Sequence, residues 1–234
     1  MTAPATLAAG VLSVGAASPD PPFELGGDPP AGLDIDLTRA LAAEMGLGWR
    51  LVRYAGADFN GIFAGLGRDY DLVASGATAT AERARVAEFG AAYVVSGQGL
   101  ACAPARRPGL RSTADLAGLT LGVQEGNTSQ PVAERLATEG RLGRVAVYPY
   151  HAIGTMLDDL EAGRIDAAMK LVPVLAWLLR DRPALRLVET GITEERIALA
   201  AAPGAPIGAA VAAAQARLEA RGAIEEMRRR WLTA

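Results

Sequence analysis

Short apolar runs with strand character alternate with helical segments along nearly the whole chain, and this constrains the fold more than any other feature. Strands that alternate with helices predict an α/β architecture of parallel sheets with helices on both faces. The first run starts with a strand at residues 11–14 that ends at Gly15. Residues 33–45 have helical spacing at Ile35, Leu41 and Met45, with Asp34 as the N-cap candidate. Residues 49–54 alternate as a strand, 60–66 read as a short helix, and 71–75 form a strand running into Gly76. Residues 97–103 are extended, and the proline-bounded stretch 104–108 is a break.

A second run follows. Ser112 and Asp115 have capping-box spacing. A strand at 119–123 leads through Glu125-Gly126-Asn127-Thr128 into a helix at Ser129. Strands at 145–148, 165–169 and 185–188 alternate with helices at 152–162 and 172–180. Residues 197–201 are extended, and helices at 207–220 and 223–232 end the chain. Two runs, each with its own apolar set, predict two lobes.

Composition narrows the function. Half of the 234 residues are hydrophobic but only 5% are aromatic, so a sizeable core of small residues is expected. Lys and Arg number 23 against 26 Asp and Glu, a net charge of −3, and no basic run exists. Nucleic acid and membrane surfaces are therefore poor partners. The single cysteine, Cys102, rules out an intrachain disulfide and reads as a buried small hydrophobe. The single histidine, His151, rules out a multi-histidine metal site and reads as a cap or surface residue. No cofactor is implied. No apolar run of 18 residues exists. Met1-Thr2-Ala3-Pro4 lacks the basic region of a signal peptide, which fits either a mature form or a cytoplasmic protein.

Two segments carry chemistry. In Ser75-Gly76-Ala77-Thr78-Ala79-Thr80-Ala81-Glu82-Arg83, a strand ends where open α/β sheets bind ligands. Gly76 permits close backbone approach, Thr78 offers a hydroxyl and an N–H, and Arg83 has a planar fork suited to a carboxylate. Arg83 reads equally as a solvated arginine pairing Glu82 or Glu88. In Gly122 to Ser129 a strand turns into a helix start, where free N–H groups favour anions, and Asn127 and Thr128 are the candidates. Ordinary capping by either residue is the alternative.

The whole chain resembles the polar-amino-acid family of periplasmic solute-binding proteins. The resemblance lies in Asp20-Pro21-Pro22-Phe23-Glu24 of a first loop, Gly32-Leu33-Asp34-Ile35-Asp36-Leu37 at a first helix, and the two segments above. Ala162-Gly163-Arg164-Ile165-Asp166-Ala167 and the close from Arg221 to Leu232 follow in order. Each motif is loose, but six in order are specific. The resemblance implies a periplasmic-binding-protein-like type II fold, two α/β lobes joined by two crossing strands, that closes like a hinge on a ligand. Lobe 1 would take residues 1–97 and 202–234 and lobe 2 residues 98–201, with crossings near 97–103 and 197–201. The implied function is extracytoplasmic delivery of a small carboxylate-bearing amino acid, or similar ligand, to the membrane permease of an ABC importer. The protein would be a monomer and not an enzyme.

By the same resemblance Arg83 would bind the ligand carboxylate, helped by Thr78 and Thr128. The Gly76 carbonyl would accept from the ligand, and Phe59 would form an aromatic wall. Two positions depart from the pattern. The usual aspartate partner of the ligand ammonium is replaced by Leu171, and the first-loop aromatic by Asp20. Asp20 followed by Pro-Pro-Phe is similar to an ectoine-binding branch, in which Phe23 and Phe59 would be cation–π walls. Thr78 stands where that branch has a third aromatic, and Asp20 also reads as a turn residue. The departures predict a ligand other than an ordinary L-α-amino acid in the usual pose, such as a cyclic or N-substituted derivative. Lys170, a strand neighbour of Leu171, is expected to face solvent; pointing inward, it would pair a second ligand carboxylate. Rival readings are a receptor's sensing domain and a dehydratase of the cyclohexadienyl type. The dehydratase would need carboxylates at Leu171 and Val174.

Overall fold

The structure, a computed structural model, describes residues 4–17 and 19–232. Met1 to Ala3, on which the signal-peptide reading rests, and Ser18 of the first loop lie outside the described residues. The strands are β1 (Val11–Ala17), β2 (Gly48–Tyr54), β3 (Leu72–Val73), β4 (Glu88–Ser96), β5 (Gln98–Cys102), β6 (Thr120–Gln124), β7 (Arg144–Tyr148), β8 (Ala167–Leu171), β9 (Arg186–Glu189) and β10 (Glu195–Ala201). The helices are α1 (Leu33–Glu44), α2 (Ser129–Thr138), α3 (Ile153–Ala162), α4 (Val172–Leu178), α5 (Pro206–Ala220) and α6 (Ala223–Leu232).

These elements form two α/β units, as expected. The first holds the chain up to Ala55, Asn60–Val95 and the chain from Arg196 onward; the second holds Gly56–Phe59 and Ser96–Glu195. The return to the first unit therefore precedes residues 197–201. Those residues group with the first unit, where Ala200 and Ala201 pair with Val73 and Leu72 of β3. Phe59 also groups with the second unit, not with the first lobe.

Each unit has a five-stranded sheet, ordered β2-β1-β3-β10-β4 and β7-β6-β8-β5-β9. The expectation of parallel sheets is corrected. β1 is parallel to β2 and β3, and β6 to β7 and β8, but β10 runs antiparallel to β3 and β5 antiparallel to β8 and β9. The antiparallel members are the strands at the passages near Ser96 and Arg196, and a passage can enter a sheet in either direction. β4 was not legible in the sequence. It is a half-exposed edge strand without clean alternation. The short helix expected at 60–66 is a 3-10 helix, Phe59–Gly65. There Gly65 lies against the Tyr70 ring, where a Cβ would come within 2.4 Å.

Period-2 alternation builds the second core. Leu100, Cys102, Ala167 and Met169 share one sheet face with Val132, Ala133 and Leu136 of α2. Ala101 and Ala168 face the other way, onto Met156, Leu157 and Leu160 of α3 and Leu175 of α4. Cys102 is fully buried, which pushes its thiol pKa up. In the first unit α1, α5 and α6 pack on one another.

Candidate functional site

The first unit offers a face built around the loop after β3. Gly76 has φ 55°, and its Cα side lies against the Phe23 ring; a Cβ would sit 2.7 Å from Phe23 Cδ2. The glycine therefore permits both the turn and the close approach. The Gly76 N–H donates to Asp34 Oδ2 at 2.8 Å, and the Tyr93 hydroxyl donates to Asp34 Oδ1 at 2.6 Å. Thr78 bridges Ile197, and the N–H groups of Ala198 and Ala79 donate to the carbonyls of Ala77 and Arg196 at 3.0 and 2.9 Å. The loop is thus clamped from α1 on one side and from β10 on the other.

Arg83 is 6% exposed, which removes the solvated-arginine reading. Its Nε donates to Asn60 Oδ1 and its Nη1 to the Thr78 carbonyl, each at 3.0 Å. Its guanidinium carbon lies 5.5 Å from the Phe63 ring centroid. These contacts fix the plane of the fork in a nearly dry setting, where a charge-assisted pair with a carboxylate is strong.

Asp20 is buried, and its peptide joins a tight turn: its N–H donates to the Glu24 carbonyl, and its carbonyl accepts from the N–H groups of Phe23 and Glu24. Glu24, not singled out in the sequence, is fully buried beside it. Asp34 was expected to cap α1, but the N-cap is Gly32, and Asp34 lies buried in the first turn. Burial pushes the Asp34 carboxyl up from 3.8 to about 7, against the hydrogen bonds from Tyr93 and Gly76 and with help from the charges of Asp20 and Glu24.

A folded-state value above the unfolded one gives stability that is complete below about pH 4 and is lost as the pH rises toward 7. The loss is at most about 1.4 kcal/mol per pH unit. Asp34→Asn cannot titrate, so its thermal midpoint should fall less between pH 4.5 and 7.5 than that of the wild type. Equal slopes in melting curves across that range would remove Asp34 as their source.

The second unit brings different groups together. Thr128 is the N-cap of α2, but its side chain makes no capping bond. Its hydroxyl donates to Glu195 Oε2 at 2.8 Å and accepts from Gln98 Nε2 at 3.0 Å. Gln98 Nε2 also donates to Glu195 Oε1 at 2.7 Å, and the Thr193 hydroxyl donates to the same oxygen at 2.9 Å. Asn127 is buried, and its backbone closes the turn before α2. Gln98 Oε1 and Ser129 Oγ are buried without a hydrogen-bond partner. Phe59 stacks on Tyr150 with ring centroids 4.8 Å apart, and its N–H donates to the Glu125 carbonyl at 3.2 Å.

Lys170 is 1% exposed, which corrects the expectation that it faces solvent. Every residue of β8 is buried, because the strand is interior to its sheet and covered on both faces. The Lys170 ammonium sits 4.6 Å from the Tyr150 ring centroid. Leu171 is 3% exposed and pairs with Gln98 across β5 and β8. Val174 is also buried. His151 is exposed, as expected.

Within the first unit the structure therefore brings Phe23, Gly76, Thr78 and Arg83 together, with Asp20 in the turn that carries Phe23. Within the second it brings Thr128 and Glu195 to Gln98, with Leu171 opposite Gln98 in the sheet, while Asn127 is placed only in the turn before α2. Glu24, Gln98 and Glu195 had no sequence signal, since isolated polar residues in or beside strands read as surface. Among the described residues no group of three metal-ligating side chains occurs.

Comparison with known proteins gives a consistent result. The family model of bacterial extracellular solute-binding proteins, family 3, matches residues 12–234. The arginine-binding extracellular protein of Bacillus subtilis (strain 168) is 25% identical, over 95% of this chain and 86% of its own. The ABC transporter arginine-binding protein 1 of Escherichia coli (strain K12) is 28% identical, over 80% of this chain and 74% of its own. The structure of an ancestral arginine-binding protein bound to arginine superposes with a TM-score of 0.86 at 25% identity, covering 96% of this chain and 99% of that one.

Proposed function

Because the chain belongs to the bacterial extracellular solute-binding proteins of family 3, we propose that it captures an amino acid outside the cytoplasm and delivers it to the permease of an ABC importer. The observation that carries this reading is the buried, pre-oriented Arg83 fork beside the Gly76–Thr78 loop. A planar guanidinium held by its own hydrogen bonds suits a carboxylate and loses little freedom on binding one.

The ligand class we favour is a cationic amino acid. Asp20 and Glu24 put buried carboxylates in the turn that carries Phe23, an acid and an aromatic ring suited to a guanidinium or ammonium side chain. The arginine-binding relatives support the same class. The substitution of Leu171 for an acid favours a second reading, a cyclic or N-substituted amino-acid derivative.

A thermal-shift screen separates these readings. The panel is the standard L-amino acids, ectoine and other compatible solutes, opines and small dicarboxylates. A ligand that binds only the folded state adds about 2.7 kcal/mol at a hundred times its Kd, or roughly 5–10 °C for a chain of this size. L-arginine and L-lysine are expected to give the largest shifts. A shift from ectoine or an opine alone would favour the second reading. No shift from any of them would overturn the assignment to amino-acid uptake.

A further inference from the structure

We propose that Asp34 is a positioning residue for the carboxylate-binding loop: its ionised carboxylate fixes the Gly76 turn for a ligand on Arg83, so that capture of the ligand releases a proton from Asp34. This rests on the reading of the protein as an amino-acid receptor, and every group it uses lies in the first unit.

Asp34 joins three segments. Its N–H donates to the Phe23 carbonyl at 3.0 Å, which ties it to the first loop. Its Oδ1 accepts from the Tyr93 hydroxyl of β4 at 2.6 Å, and its Oδ2 accepts from the Gly76 N–H at 2.8 Å. Gly76 has no side chain and lies against the Phe23 ring, so this N–H is the polar link from the turn to α1. Two residues on, the Thr78 carbonyl accepts from Arg83 Nη1 at 3.0 Å. Orientation therefore passes from Asp34 through Gly76 and Thr78 to the guanidinium.

The charges around Asp34 decide what its proton does. Asp34 is fully buried, and the first loop brings the buried acids Asp20 and Glu24, whose charges act on it. Glu24 Oε2 is buried without a hydrogen-bond partner, and Arg53 of β2 meets Glu24 Oε1 at 3.8 Å from a half-exposed position. Arg217, Arg221 and Arg230 from the last two helices and their junction meet Glu44 and Asp36 of α1. Arg228 of α6 reaches the Tyr93 carbonyl while pairing Glu219 and Glu225. These arginines are directed to other acids or to a carbonyl. Burial and the two neighbouring acids keep the proton on Asp34 up to about pH 7, and burial keeps the Tyr93 hydroxyl neutral well above that. An ionised carboxylate accepts an N–H more strongly than a protonated one. A ligand that needs the turn held binds the ionised state better and draws the proton off.

Calorimetry tests the idea, with the standard L-amino acid that gives the largest thermal shift as the probe, L-arginine by expectation. L-arginine itself does not titrate between pH 5.5 and 8. Across that range the wild-type affinity should rise about threefold to tenfold with pH. Binding heats measured near pH 7 in buffers of different ionisation enthalpy should show release of about 0.3–0.5 proton per ligand. Asp34→Asn keeps the shape of the side chain and can still accept from Gly76, but it cannot ionise. It should bind at the wild type's pH 5.5 affinity at every pH and release no proton. Tyr93→Phe removes a donor that favours the ionised form, so the midpoint of its profile should move to higher pH. This variant decides the matter if Asp34→Asn fails to fold, and an unmoved midpoint then overturns the proposal. A flat wild-type profile, or a slope that survives in Asp34→Asn, also overturns it. If Arg83→Ala abolishes binding in that case, the amino-acid reading stands without the proton. A wild type that binds no standard L-amino acid overturns both.

Discussion

Replacing Arg83 with alanine is expected to lower ligand affinity by about 30-fold to several thousand-fold while the protein still folds. Removing one partner of a buried, hydrogen-bonded charge pair costs about 2–5 kcal/mol, and each 1.4 kcal/mol is about tenfold in Kd. The upper part of the range is favoured because Arg83 is almost fully buried and its fork is already oriented by Asn60 and Thr78. Folding should suffer less. The truncation leaves the Asn60 amide oxygen and the Thr78 carbonyl without these donors, a cost of roughly 1–3 kcal/mol, and water can enter the space. Arg83→Lys keeps the charge but loses the planar fork, so it should fall between wild type and alanine. Calorimetry on the tightest-binding amino acid, with a melting curve for each variant, measures both effects. Less than a few-fold loss in Arg83→Ala would remove the carboxylate clamp from the proposed function.

Gly32→Ala should give the largest loss of stability, about 3–5 kcal/mol from combined backbone strain and overpacking, or roughly 10 °C in Tm. Gly32 has φ 138°, a region that residues with a Cβ rarely adopt. An added Cβ would sit 2.2 Å from the Phe23 carbonyl oxygen and 2.7 Å from its carbon. Both are backbone atoms, so no side chain can rotate away. Leu33 and Asp34 donate their N–H groups to the Pro22 and Phe23 carbonyls just beyond this point, tying α1 to the first loop. Moving Gly32 therefore moves Asp34, and with it the hydrogen bond that holds Gly76. Ligand affinity should fall with stability in this variant, unlike in Arg83→Ala. Thermal melting within a few degrees of wild type would mean that the loop and α1 can separate without cost.

The sequence by itself determined the α/β class, the two-unit organisation and the helix start at Ser129. These depend on short-range information: apolar periodicity, glycine and proline punctuation, and capping within a few residues. The capping box of Ser112 and Asp115 was legible for that reason and is present. Sheet direction was not legible, because β5 and β10 enter their sheets from outside and local pattern does not record which way a strand runs. Burial of polar groups was not legible either. Lys170 looked like a solvent-facing residue until β8 was placed in the interior of its sheet. The pairs that shape the candidate sites are distant in sequence: Asp34 and Gly76 are 42 residues apart, and Gln98 and Glu195 are 97 apart. No periodicity links such residues. Only the folded chain sets Gln98 opposite Leu171 and within a hydrogen bond of Glu195, because contacts across a sheet depend on strand order and register and not on neighbours in the sequence.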